Sequence, residues 1–134
     1  MSDDMVTEHF LFGAWYFDIQ AAQRLITARP RNPVRIDVAS WARFYGLDTI
    51  GTDRIPLIGP GPDFDAVYAM TADLEKPLIL ATLDVEGQRE TPLLIDGCHR
   101  LYRAHIEQHT RLPAYALTRD ESLAVRRPVR ELRR

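Results

Sequence analysis

Apolar and polar positions change period several times along the chain, and each change marks an element. Ala22, Leu25 and Ile26 recur at helical spacing between Asp18 and Pro30, which predicts a helix over Ile19–Ala28 with Asp18 as N-cap and Pro30 as its stop. Val34, Ile36 and Val38 alternate instead with Arg35 and Asp37, the pattern of a half-buried strand. Ser40 is placed to cap a short helix carrying Trp41, Phe44 and Tyr45 and closed at Gly46. Upstream, His9–Phe17 is rich in aromatics and reads as a strand interrupted by Gly13 and Ala14, and the polar residues 1–8 are expected to form a flexible N-terminus.

Turn-formers dominate from Leu47 to Phe64, most densely in Ile58-Gly59-Pro60-Gly61-Pro62-Asp63, where glycines and prolines forbid a helix or a central strand. A surface connection is preferred there over one wall of a ligand site. Phe64–Leu74 is predicted helical with Ala66, Val67 and Met70 facing inward. Pro77–Val85 and Thr91–Ile95, separated by Glu86-Gly87-Gln88, are expected to pair as a hairpin. Later, Leu112-Pro113 introduces a strand over Ala114–Thr118, and Asp120 is the expected cap of a final helix that runs into Arg126, Arg127, Arg130, Arg133 and Arg134. The predicted class is α+β, a small mixed sheet with helices packed on it in a single domain over 9–125, followed by a basic tail over 126–134.

The 134 residues suffice for one real core, and 46% hydrophobic with 27% charged residues fits a globular chain rather than a disordered one. No apolar run approaches the roughly 20 residues of a membrane span, and no signal-peptide pattern opens the chain, so the expected place is the cytoplasm and no membrane partner is expected. A single cysteine excludes an internal disulfide, and a net charge of −2 argues against a surface built throughout for nucleic acid. DNA contact through the arginine-rich end is therefore the less favoured reading, and a solvated terminus the preferred one. A homodimer is compatible with the sequence.

The chemistry-bearing stretch is Pro92–Ala104. Leu93, Leu94 and Ile95 make a short buried strand, Gly97 breaks it, and a helix follows whose first turn carries Cys98, His99 and Arg100. At about 100° per residue, Cys98, Leu101, Tyr102, Ala104 and Ile106 share one arc with His105 and His109, whereas His99, Arg100, Arg103 and Glu107 share the other. The first arc is expected to pack and the second to face outward. A helix N-terminus attracts anions through its N–H groups and dipole, so phosphate is the expected guest.

Lys76–Leu80, Leu94–Ala104 and Leu112–Leu117 together resemble the ParB/sulfiredoxin-like superfamily, and Asp96-Gly97-Cys98-His99-Arg100 is similar to its Asp-Gly-x-His-Arg signature. The likeness covers about residues 74–118. It implies a nucleotide site, with ATP or CTP phosphates held by Gly97, Cys98, His99, Arg100 and Arg103, and Mg²⁺ held by Asp96. Hydrolysis or phosphoryl transfer to a small-molecule or protein acceptor is the implied activity, with Asp96, His99 and Cys98 as candidate catalytic groups. The alternative is a non-catalytic nucleotide- or DNA-responsive regulator, or a ParB-like DNA-binding or nuclease protein.

Each residue also has a plainer role. Asp96 fits a base or metal ligand and equally a helix N-cap. Cys98 at a helix start has reason to ionise early, yet it lies on the packed arc, so packing is preferred over nucleophile. Arg103 and Glu107 form an ordinary i,i+4 pair, and His105 with His109 lacks a third metal ligand at fitting spacing.

Overall fold

A computed structural model describes residues 9–12, 15–50, 64–83 and 90–129. The expectations for residues 1–8, for Gly13 and Ala14, for the Ile58–Asp63 loop, for the Glu86–Gln88 turn and for Arg130, Arg133 and Arg134 lie outside these. The described residues make a mixed α+β fold, as the sequence pattern predicts. In chain order the elements are β1 (His9–Phe12), β2 (Trp15–Asp18), α1 (Ile19–Ala28), β3 (Val34–Asp37), α2 (Val38–Phe44), a 3-10 turn (Leu47–Thr49), α3 (Ala66–Ala69), β4 (Leu78–Leu83), β5 (Thr91–Asp96), α4 (Cys98–Ile106), β6 (Arg111–Ala116), α5 (Arg119–Val125) and β7 (Arg126–Pro128). They fall into two compact units, one of residues 1–32, 79–96 and 115–134, the other of 33–78 and 97–114. No helix among the described residues is long and apolar enough to cross a membrane.

In the first unit β2 lies between β1 and β7, antiparallel to both, with Phe17 opposite Arg126 and Tyr16 opposite Arg127. The chain leaves β2 directly into α1, because the Asp18 carboxylate accepts the Ala21 N–H at 3.0 Å and starts the helix where the sequence predicts. Ile19, Ala22 and Ile26 are buried on one face, and α1 packs against α5. β4 and β5 pair as the expected antiparallel hairpin, with an irregularity between Ile79 and Leu80. The run Ile79, Leu80, Ala81 and the run Leu93, Leu94, Ile95 are buried without alternation, as befits strands covered on both faces.

Two expectations for this unit are corrected. The cap of α5 is Thr118, not Asp120: the Thr118 hydroxyl accepts the Glu121 N–H at 3.1 Å while the Glu121 carboxylate accepts the Thr118 N–H at 2.9 Å. This reciprocal box satisfies two N–H groups at once, which Asp120 two residues later does not. The chain past α5 is also no frayed terminus as far as Pro128. Arg126 lies with its guanidinium 4.0 Å from the centre of the Trp15 ring, and Arg127 pairs with Asp18 at 3.8 Å, so β7 is tied to β2 by its side chains as well as its backbone.

In the second unit β3 pairs antiparallel with β6, setting Ile36 opposite Leu112 and Val34 opposite Ala114. The strand is shorter than its alternation suggests. Asp37, rather than Ser40, caps α2: its carboxylate accepts both the N–H and the hydroxyl of Ser40, at 2.9 and 2.6 Å, so Val38 becomes the first helical residue. Those two donors hold the Asp37 carboxyl below the usual carboxylate range. β6 starts earlier than predicted and carries Pro113 within it, opposite Arg35. α3 is a single turn rather than the helix expected over Phe64–Leu74, and its inward residue is Ala69, while Val67 is 82% exposed. α2, α3 and the 3-10 turn all pack on α4, whose buried residues are Leu101 and Ala104; Ile106, expected inside, is exposed.

The strongest ionic link described in the first unit joins elements distant in sequence. Glu121, buried, accepts from Nη2 of Arg31 at 2.8 Å and also from Nη1, while Arg31 donates onward to the Ala116 carbonyl. The Arg31 hydrogen bonds, which outweigh the cost of burial, hold the Glu121 carboxyl down at about 2. A depressed carboxyl stabilises the fold above its unfolded value near 4.5 and loses that contribution as pH falls through about 2. Glu121→Gln keeps a capping acceptor but loses the charge, and should lower stability at pH 7 by roughly 2 to 3 kcal/mol. Urea unfolding at pH 7, 4.5 and 3 is the check: the wild-type loss across the acid range should be smaller in the variant, and equal slopes would exclude Glu121 as its source.

Candidate functional site

β5 ends at Asp96 and α4 begins at Cys98, so the turn between them rests on one residue. Gly97 takes it with φ +113° in the left-handed region and caps α4 without a side chain; its carbonyl accepts the Leu101 N–H at 2.9 Å. A Cβ there would lie 2.2 Å from Cδ2 of Leu78, 2.9 Å from Nη2 of Arg100 and 3.3 Å from its Nε. Backbone conformation and space therefore both demand glycine. The N-cap reading of Asp96 is corrected accordingly, because the residue at which the chain turns is Gly97. Asp96 is the last residue of β5, opposite Ile79.

Arg100 does not face outward as its arc suggests. It is half-buried and turns back over Gly97, with Nε shut away from solvent and Nη2 directed at the Pro77 carbonyl at 3.5 Å. That separation is at the edge of hydrogen bonding. A guanidinium thus sits beside the first turn of α4, the end of a helix that favours anions.

His99 is also drawn inward. Its ring stacks on Phe64 with centroids 5.0 Å apart and planes 8° from parallel, and meets Tyr68 edge to face at 5.1 Å. Phe64 in turn packs edge to face on Tyr102 at 5.3 Å. The Asp65 N–H donates to Nε2 of His99 at 3.0 Å, which makes that nitrogen an acceptor and leaves the ring proton on Nδ1. Burial is the main cause that lowers the His99 pKa; Arg100 adds to it and the Asp65 carboxylate opposes it.

Cys98 is half-buried, and burial pushes its thiol up to about 12. The early ionisation expected at a helix start is therefore overridden by desolvation, in favour of the packing role. Arg103 is committed to structure: Nε pairs with Glu107 at 3.0 Å and Nη1 donates to the Ala72 carbonyl. His109 contacts the other oxygen of Glu107 at 3.2 Å, and the bonds from Arg103 and His109 lower the Glu107 carboxyl. No group of three or more His, Cys, Asp or Glu that could hold a metal ion is found among the described residues.

The structure therefore brings Gly97, His99 and Arg100 together at the start of α4 and adds three residues that the sequence reading left out of the site: Phe64, Asp65 and Tyr68. Asp65 does carry a local signal, an aspartate before an alanine-rich turn, and its carboxylate accepts the Val67 and Tyr68 N–H groups. Nothing in local periodicity links it to a histidine 34 residues later. Comparison with protein-family models, with curated proteins and with solved structures found no match, so the likeness in residues 96–100 and their flanks carries the family expectation alone.

A thiol held at about 12 is almost wholly protonated at pH 8. Alkylation of Cys98 by iodoacetamide in the native protein should be slower than that of free cysteine by about tenfold or more, and should recover on unfolding. A native rate equal to or above that of free cysteine would show an ionised, accessible thiol.

Proposed function

We propose that this chain binds the phosphate groups of a nucleotide, of the ATP or CTP kind, at the first turn of α4. The observation that carries the reading is the Arg100 guanidinium packed against the glycine turn at the positive end of that helix, which has no side-chain cap. The first-turn N–H groups of α4 have no intrahelical partner and point toward the helix N-terminus, where they can donate to phosphate oxygens. Arg100 adds planar, charge-assisted donors from one side. The Asp-Gly-Cys-His-Arg signature, through its resemblance to ParB/sulfiredoxin-like proteins, supports nucleotide over simple anion.

The same geometry favours binding over turnover. General-base catalysis needs a free lone pair, and Nε2 of His99 already accepts from Asp65. Nucleophilic catalysis needs a thiolate, which burial denies to Cys98. Asp96 is the remaining candidate for a base or for a Mg²⁺ ligand, and Mg²⁺ on a nucleotide requires only one or two carboxylates beside the phosphates. Hydrolysis or phosphoryl transfer would rest on that carboxylate.

Calorimetric titration with ATP and CTP tests the reading. Arg100→Ala should weaken binding by roughly 1.5 to 3 kcal/mol, at a folding cost of about 1 kcal/mol from its lost packing. Gly97→Val should lose both binding and stability, because a branched residue resists positive φ and its Cβ meets Leu78. Equal affinity in wild type and a folded Arg100→Ala variant would overturn the proposal.

A further inference from the structure

We propose that His99 is a proton-operated latch: neutral, it fastens the Phe64–Ala69 segment to α4, and protonated, it releases that segment. The fastening has two parts on one ring. Nε2 accepts the Asp65 N–H at 3.0 Å, and the ring face stacks on Phe64 while Tyr68 abuts it edge to face. An imidazolium has no lone pair at Nε2, so a proton arriving there turns the acceptor into a donor facing the donor of Asp65. The bond is lost and two donors are opposed. A charged ring must also be solvated, which its packed position between aromatic side chains resists.

The bond to His99 falls where the segment is short and exposed, ahead of the buried Ala69 and of the Arg103 bond to the Ala72 carbonyl. α3 is one turn of four residues, too short to persist alone, and it presents Val67 and Tyr68 to solvent, 82% and 60% exposed. Its internal bonds start from Asp65, whose carbonyl accepts the Ala69 N–H at 2.9 Å and whose carboxylate caps the Val67 and Tyr68 N–H groups. Freeing Asp65 from α4 therefore frees the origin of the turn.

The charges that act on His99 are the Asp65 carboxylate from the α3 side, which favours protonation, and Arg100 from its own helix, which opposes it together with burial. The phenol of Tyr68 also faces the ring, and that of Tyr102 lies beyond Phe64. α2 and the 3-10 turn, the other elements packed on α4, bring Arg43 and Asp48; further along α4 stand His105 and Arg103, the latter paired with Glu107 just past the helix end. A histidine held below its ordinary value is neutral at pH 7 and above. It adds stability above its unfolded value near 6.5 and loses it as pH falls below that, which sets the direction of release.

The latch is tested without any ligand, so its outcome is separate from that of the nucleotide reading. In ¹H–¹⁵N spectra at pH 8 the His99 ring should show the Nδ1–H tautomer. As pH falls from 8 to 5.5, hydrogen-exchange protection at the Ala69 and Met70 amides, corrected for intrinsic rates, should drop about threefold or more, the fall beginning near the ordinary histidine value of about 6.5. His99→Gln supplies a side-chain carbonyl that accepts from Asp65 at every pH, so the drop should vanish in that variant. A wild-type Nε2–H tautomer at pH 8, protection unchanged across the range, or an undiminished drop in a folded His99→Gln variant would each overturn the latch.

Discussion

A side chain at position 97 would place its Cβ 2.2 Å from Leu78 and 2.9 Å from Arg100, in a backbone conformation that L residues avoid. The turn from β5 into α4 is therefore open to glycine alone, and the geometry around it follows. Without a Cβ, Leu78 closes against the turn, and Arg100 folds back over the same spot instead of extending into solvent. The helix starts with no side-chain cap, so its first-turn N–H groups are left for backbone, water or a ligand.

Around that turn the chain uses its polar groups economically. His99, Arg100 and Arg103 all stand on the α4 arc that periodicity assigns to solvent, and each is tied to the segment 64–77 of the same unit: to Asp65 N–H, to Pro77 O and to Ala72 O. Three side chains that read as a free, ligand-ready face are also the stitches holding a stretch with one short helical turn. In the other unit Arg31 and Glu121 play the equivalent part, joining the chain after α1 to the first turn of α5 with both carboxylate oxygens engaged.

Elements driven by local chemistry were legible in the sequence. α1 with its Asp18 cap and Pro30 stop, the β4–β5 pairing, and the Gly97 break before α4 all follow from period, turn residues and capping. Helix starts with competing cap residues were not. Asp37 prevails over Ser40 because it takes both of Ser40's donors, and Thr118 prevails over Asp120 because Glu121 completes a reciprocal box. For the site, glycine and arginine were legible as residue types. The inward turn of His99 was not, because the partners that capture it, Phe64, Asp65 and Tyr68, are brought to it only by tertiary packing. The thiol of Cys98 shows the same limit: helix-start electrostatics is local and visible, whereas the burial that overrides it is not.

The central claim, that the first turn of α4 is an anion cradle shaped by Gly97, is tested most directly by following backbone amide resonances during titration with ATP and, separately, CTP. The account predicts saturable shifts concentrated at Gly97, Cys98, His99 and Arg100, with the Arg100 side-chain Nε–H shifting alongside them. Saturable binding that leaves these resonances unmoved while others shift, or no shift at millimolar nucleotide, would contradict it.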